Sequence, residues 1–149
     1  NQPLNDISNS LIIGEFMIES AGGMIPFLCH VFLILFGGFF GLNFAFNKNF
    51  AQKSFGFDNI QAAYMGRPLG FLMTGCVLMA LLALFGIAGV TSANEIFGAI
   101  FVFTVLAFLY NTALVMKILP TYDGKDHEIK NAIRPLIPMV VILIRYFNL

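Results

Sequence analysis

No charged residue occurs between Met24 and Phe46, and that run decides what the chain can fold into. As a helix rising about 1.5 Å per residue it is roughly 34 Å long, enough to cross the hydrocarbon core of a bilayer. Inside lipid the backbone must satisfy its own hydrogen bonds, so the run is helical. Composition extends the argument to the whole chain. Of 149 residues, 58% are hydrophobic and 11% charged, against about 25% charged in soluble domains. The fold class expected is all-α, an integral membrane four-helix bundle with a short N-terminal interfacial helix.

The expected organisation is an arm, residues 1–22, followed by a bundle, residues 23–149. From Ser10 the arm reads as a helix with Glu15 and Glu19 one turn apart, ended by Gly22 and Gly23. Contact with the membrane surface and packing on the bundle are both open for it. The spans expected are 24–46, 68–90, 96–116 and 131–149. Pro26 falls in the first turn of span one, where a missing N–H costs little. Between spans one and two, Asp58 and Gln61 have capping-box spacing, which predicts a helix start near Asn59. Pro68 then introduces a kink at the membrane. A tight turn is expected at Thr91–Asn94. Span four is short between Arg134 and Arg145, and becomes long enough only if both arginines snorkel.

Charge placement supports this plan. Of the eight Lys and Arg residues, all but Arg145 fall in the connections 47–67 and 117–134. With four spans these connections share one side, here the basic side. Asp6, Glu15, Glu19 and Glu95 lie on the other, the far side. The positive-inside rule then places both termini away from the cytoplasm-equivalent compartment. Arg67-Pro68-Leu69 recurs as Arg134-Pro135-Leu136 at the openings of spans two and four, as two parallel helical hairpins would produce.

This plan, with Arg-Pro-Leu-Gly opening span two and short far-side turns, resembles the DoxX-like group of small membrane proteins over about residues 24 to 144. The resemblance implies a bundle more than an activity. The acidic arm and the short fourth span depart from it.

The net charge is zero, which excludes a bulk field favouring nucleic acid. The chain holds 18 Phe and no Trp, so interfacial Trp anchors are absent and Phe serves packing, lipid contact or a flat apolar ligand. It begins at Asn1 with no signal-peptide pattern in its first 20 residues, so a cleaved targeting segment and a fragment are both open.

The candidate site residues follow from depth and spacing. His30 is the single histidine within a span. A neutral imidazole there can ligate a chlorophyll magnesium, bond a quinone carbonyl, or bond a backbone carbonyl. Phe97, Phe101, Thr104 and Phe108 recur at helical spacing as one aromatic stripe, serving the core, lipid, or a pigment such as chlorophyll or carotenoid. Gly37 and Gly41 are four apart and admit a second backbone or a flat ligand. Asn43 and Asn111 are expected to bond each other across helices, or a ligand headgroup. Cys29 and Cys76 lie at different depths, too far apart for a disulfide. Asp123, Asp126, His127 and Glu128 match no metal motif and read as a solvated loop face.

No span carries Asp, Glu or Lys at its middle, and no HExxH, G-x-S-x-G or phosphate loop is present. The expected function is that of a non-catalytic accessory subunit in a larger energy-transducing membrane complex, most plausibly photosynthetic. Its partners are the lipid bilayer and other integral membrane subunits, in a thylakoid or inner mitochondrial membrane. The alternative is a DoxX-like redox-associated protein acting with quinone or thiol partners.

Overall fold

A computed structural model describes residues 2–55, 60–90, 92–121 and 126–149. Among the described residues the fold is all-helical, in the order α1 (Gln2–Ala21), α2 (Met24–Phe46), α3 (Lys48–Phe55), α4 (Ile60–Phe85), α5 (Asn94–Val115) and α6 (Ile129–Tyr146). Three segments are long and apolar enough to cross a membrane: Met24–Phe46, Tyr64–Phe85 and Asn94–Val115. The helix α6 is also largely apolar, but Lys130, Arg134 and Arg145 keep it outside that set.

Local chemistry fixes the ends. At the end of α1, Gly23 N–H donates to the Ile18 carbonyl and Gly22 N–H to that of Glu19. Gly22 carries the positive φ of 94° that this pair of bonds requires. The end of α4 repeats the device. Ile87 N–H donates to Leu82 and Gly86 N–H to Ala83, with Gly86 at φ 63°. The left-handed turn at Gly86 stops the helix at Phe85, short of the expected 90, while its start at Ile60 lies beside the start near Asn59 that the Asp58 and Gln61 spacing predicts. The arm helix starts at Gln2, ahead of the expected Ser10. The expected cap at Asp58 lies outside the described residues.

Asn47 organises the next junction. Its N–H closes α2 on the Asn43 carbonyl, while its Oδ1 accepts from Phe50 N–H at 3.1 Å and caps α3. Residues 48–55 are therefore a short helix within what reads as a polar connection.

The helices pair as two antiparallel hairpins, α2 with α4 and α5 with α6, joined chiefly where α2 meets α6. The α2–α4 crossing is set by missing side chains. A Cβ on Gly41 would lie 2.8 Å from Thr74 Oγ1, and one on Gly37 would lie 2.9 Å from Val77. A Cβ on Gly70 would strike the Ala45 amide. Thr74 Oγ1 donates back to the Gly70 carbonyl at 2.8 Å, so the close approach leaves no hydroxyl unpaired. The core lies toward the far side, where Leu33, Ala80, Ala83, Ala93, Phe97 and Ile142 converge from four helices.

Candidate functional site: the polar seam between the hairpins

At the far end of the seam, Phe97 is the centre. It is 1% exposed, in the first turn of α5. The His30 ring of α2 meets it edge to face, with centroids 4.8 Å apart. The Arg145 guanidinium of α6 lies over its ring at 4.9 Å from Cζ to centroid. His30 and Arg145 are 2% and 3% exposed. His30 Nε2–H donates to the Ala80 carbonyl of α4 at 3.0 Å, which fixes Nδ1 as the acceptor nitrogen. Arg145 Nη1 donates to Asn94 Oδ1 at 2.8 Å, and the Tyr146 hydroxyl donates to the Asn94 carbonyl at 2.7 Å. One cluster thus ties α2, α4, α5 and α6 together. No protein partner among the described residues meets His30 Nδ1 or Arg145 Nε.

Arg145 corrects the expectation that it snorkels. Its side chain turns inward because the first turn of α5 supplies an acceptor, Asn94 Oδ1, and an aromatic face, Phe97, at one depth. A hydrogen bond to a charged group contributes about 1.5–3 kcal/mol and a desolvated cation–π contact about 2 kcal/mol. Together they offset part of the several kcal/mol that burying a cation costs. No carboxylate among the described residues pairs with it.

The structure brings His30 and Phe97 together and sets Phe101 one turn further along α5, against the same core. Thr104 continues that inward face, its hydroxyl bonded to the Phe101 carbonyl at 2.9 Å. With Nε2–H on the Ala80 carbonyl, the nitrogen of His30 with a free lone pair is Nδ1. Gly37 and Gly41 sit at the α2–α4 crossing described above. Asn43 and Asn111 do not bond each other. Asn43 Nδ2 donates to Phe39 of its own helix at 2.8 Å, and Asn111 Oδ1 accepts from His127 Nε2–H at 2.7 Å. The Asn43 amide is used locally, its Oδ1 accepting from Asn47 Nδ2 at 3.2 Å as its Nδ2 bonds the i−4 carbonyl.

At the basic end the seam opens into a pocket of about 280 Å³. Phe44, Lys53 and Ser54 line it from the first hairpin, and Asn111, His127 and Arg134 from the second. Asp126 pairs with Lys117 at 2.8 Å, and Glu128 pairs with Lys130. Lys130 holds the Glu128 carboxyl below its ordinary value of 4.5, first through the hydrogen bond and then through its charge. Among the described residues no three His, Cys, Asp or Glu side chains converge as a metal site, and Asp123 lies outside those residues. Cys29 and Cys76 are both free thiols.

Sequence reasoning missed Arg145, Asn94 and Tyr146 as a group, and Gly70 as the partner of Gly41. An arginine inside VVILIRY was a usable signal, since an ionisable residue at membrane depth faces a partner more often than lipid. No protein-family model, curated protein or solved structure matches the chain.

Proposed function

We propose that the chain is a four-span, non-catalytic structural subunit of a larger membrane assembly. One observation carries this reading. The two ionisable side chains set deep in the far-side core, His30 and Arg145, are spent on holding helices together and are closed over by Phe97. A catalytic or transport site needs such groups open to substrate.

In this reading α6 is the fourth span. Its 18 residues reach about 27 Å as a helix. It runs back along α5, so that Tyr146 meets Asn94. Both termini then lie opposite the basic connections. The outward faces of the long helices are rich in flat apolar groups, among them Phe32, Phe39, Phe71 and Phe103. These suit neighbouring subunits, lipid or pigment, and an energy-transducing membrane, thylakoid or inner mitochondrial, is the setting proposed.

The test is purification of the untagged chain from its native membrane in mild detergent, with sizing and an absorption spectrum. Co-migration with other integral subunits, at a size far above its own 16.4 kDa, supports the reading. Free protein with quinone- or thiol-dependent turnover rejects it and favours the DoxX-like redox alternative.

A further inference from the structure

We infer that the pocket at the basic end binds the phosphate of an anionic phospholipid from the adjoining leaflet, with one hydrocarbon chain laid along the phenylalanines of α2. Three independent features meet there.

The first is uncompensated charge. Lys53, Lys130 and Arg134 line the pocket against two carboxylates, Asp126 and Glu128. Those carboxylates are taken by Lys117 and Lys130. Among the described residues neither Lys53 nor Arg134 has an ion-pair partner; Arg134 donates to Asn131 Oδ1 at 3.5 Å and feels the Glu128 charge only as a minor neighbour beside Lys130. A phosphodiester supplies the missing negative charge, and a guanidinium suits its oxygens.

The second is depth. The pocket lies between the ends of α2, α5 and α6 on the side that carries the basic connections. That side faces the leaflet in which anionic lipids attract basic segments, and basic pockets between helices there hold anionic headgroups.

The third is the wall. Phe44 lines the pocket and begins an aromatic ladder up α2. Its ring centroid is 6.3 Å from that of Phe40, Phe40 is 4.8 Å from Phe36, and Phe36 is 5.7 Å from Phe32. The ladder covers about 18 Å of helix, a length suited to an acyl chain. Phe50 of α3 closes its lower end, 5.3 Å from Phe44. A free anion would use the pocket and ignore the ladder, whereas a phospholipid uses both.

The experiment compares the protein in nanodiscs of phosphatidylcholine with and without a tenth of phosphatidylglycerol, reading co-purifying lipid by native mass spectrometry. Phosphatidylglycerol should be enriched at least tenfold over its bulk share at one site per chain. The double variant Lys53→Gln, Arg134→Gln should lose that enrichment. Lys48→Gln, on the same surface but outside the pocket, should keep it. Millimolar inorganic phosphate should not displace the lipid. Equal retention of the two lipids would overturn the inference, as would an equal loss in Lys48→Gln. Full displacement by inorganic phosphate would also overturn it, in favour of a soluble anion. A thermal melt of each variant in detergent checks folding. Should the double variant not fold, Lys53→Gln alone must still lower the enrichment, and an unchanged enrichment there would contradict the inference.

Discussion

Arg145 and Asn94 are joined by a 2.8 Å hydrogen bond that ties the last turn of α6 to the first turn of α5. The bond crosses 51 positions of sequence and spends a buried cation on a neutral acceptor. Removing the acceptor alone should therefore be worse than removing both partners. Asn94→Ala is expected to cost about 1.5–3 kcal/mol, read as a lower melting temperature in detergent. The double variant Asn94→Ala, Arg145→Met, which removes the charge as well, should recover a good part of that loss.

His30 gives a second prediction. Its imidazole bridges α2 to the Ala80 carbonyl and supports the edge of Phe97. His30→Leu should lower stability by about 1–3 kcal/mol, measured by thermal unfolding. In the purified assembly the same variant tests pigment ligation: loss of one chlorophyll per chain would show that a metal is a partner of the ring in the native membrane, and an unchanged pigment count would reject ligation.

The α2–α4 crossing tolerates no side chain at Gly70, where a Cβ would strike the Ala45 amide and lie 2.7 Å from the Gly41 carbonyl. Gly70→Leu and Gly41→Leu should each destabilise the chain by about 1–3 kcal/mol or prevent folding. Gly75 has nothing within 4 Å of its ideal Cβ. Gly75→Ala should stay within about 0.5 kcal/mol of the parent, and a loss equal to that of Gly70→Leu would contradict the packing described.

Far more of the fold than of the site was legible in the sequence. Period and length revealed the apolar helices, and Gly22 and Gly86 carry the chemistry that ends two of them. Asn47 was harder to read, because one residue closes α2 and opens α3, and a run such as NKNF looks like a loop. His30 and Phe97 stood out by depth and by periodicity. Their meeting with Arg145 depends on how four helices converge, which no local pattern encodes. The same holds for the pocket at the basic end, whose walls come from segments some 60 positions apart, Lys53 and Asn111 among them.

At that end, Lys130 lowers the pKa of Glu128 from its ordinary value of 4.5, first through the hydrogen bond and then through its charge. The stabilising contribution is present above that value and is lost as pH falls through the lower value of the folded chain. Glu128→Gln should therefore melt at or slightly below the parent temperature at pH 7, and the two curves should converge as the pH is lowered below 4.5. The effect is small, because the carboxylate is fully exposed. A difference that grows on acidification would contradict the assignment.

The placement of α6 as a fourth span is the claim on which the far-side cluster, the orientation and the pocket depth all depend. It is tested most directly by single-cysteine labelling from each side of a sealed membrane, at Ser54, Ser92 and Asn148, with Cys29 and Cys76 replaced by Ser. Ser54 should label from the basic side, and Ser92 and Asn148 together from the opposite side. Labelling of Asn148 from the same side as Ser54 would contradict the account, because α6 would then not cross the membrane.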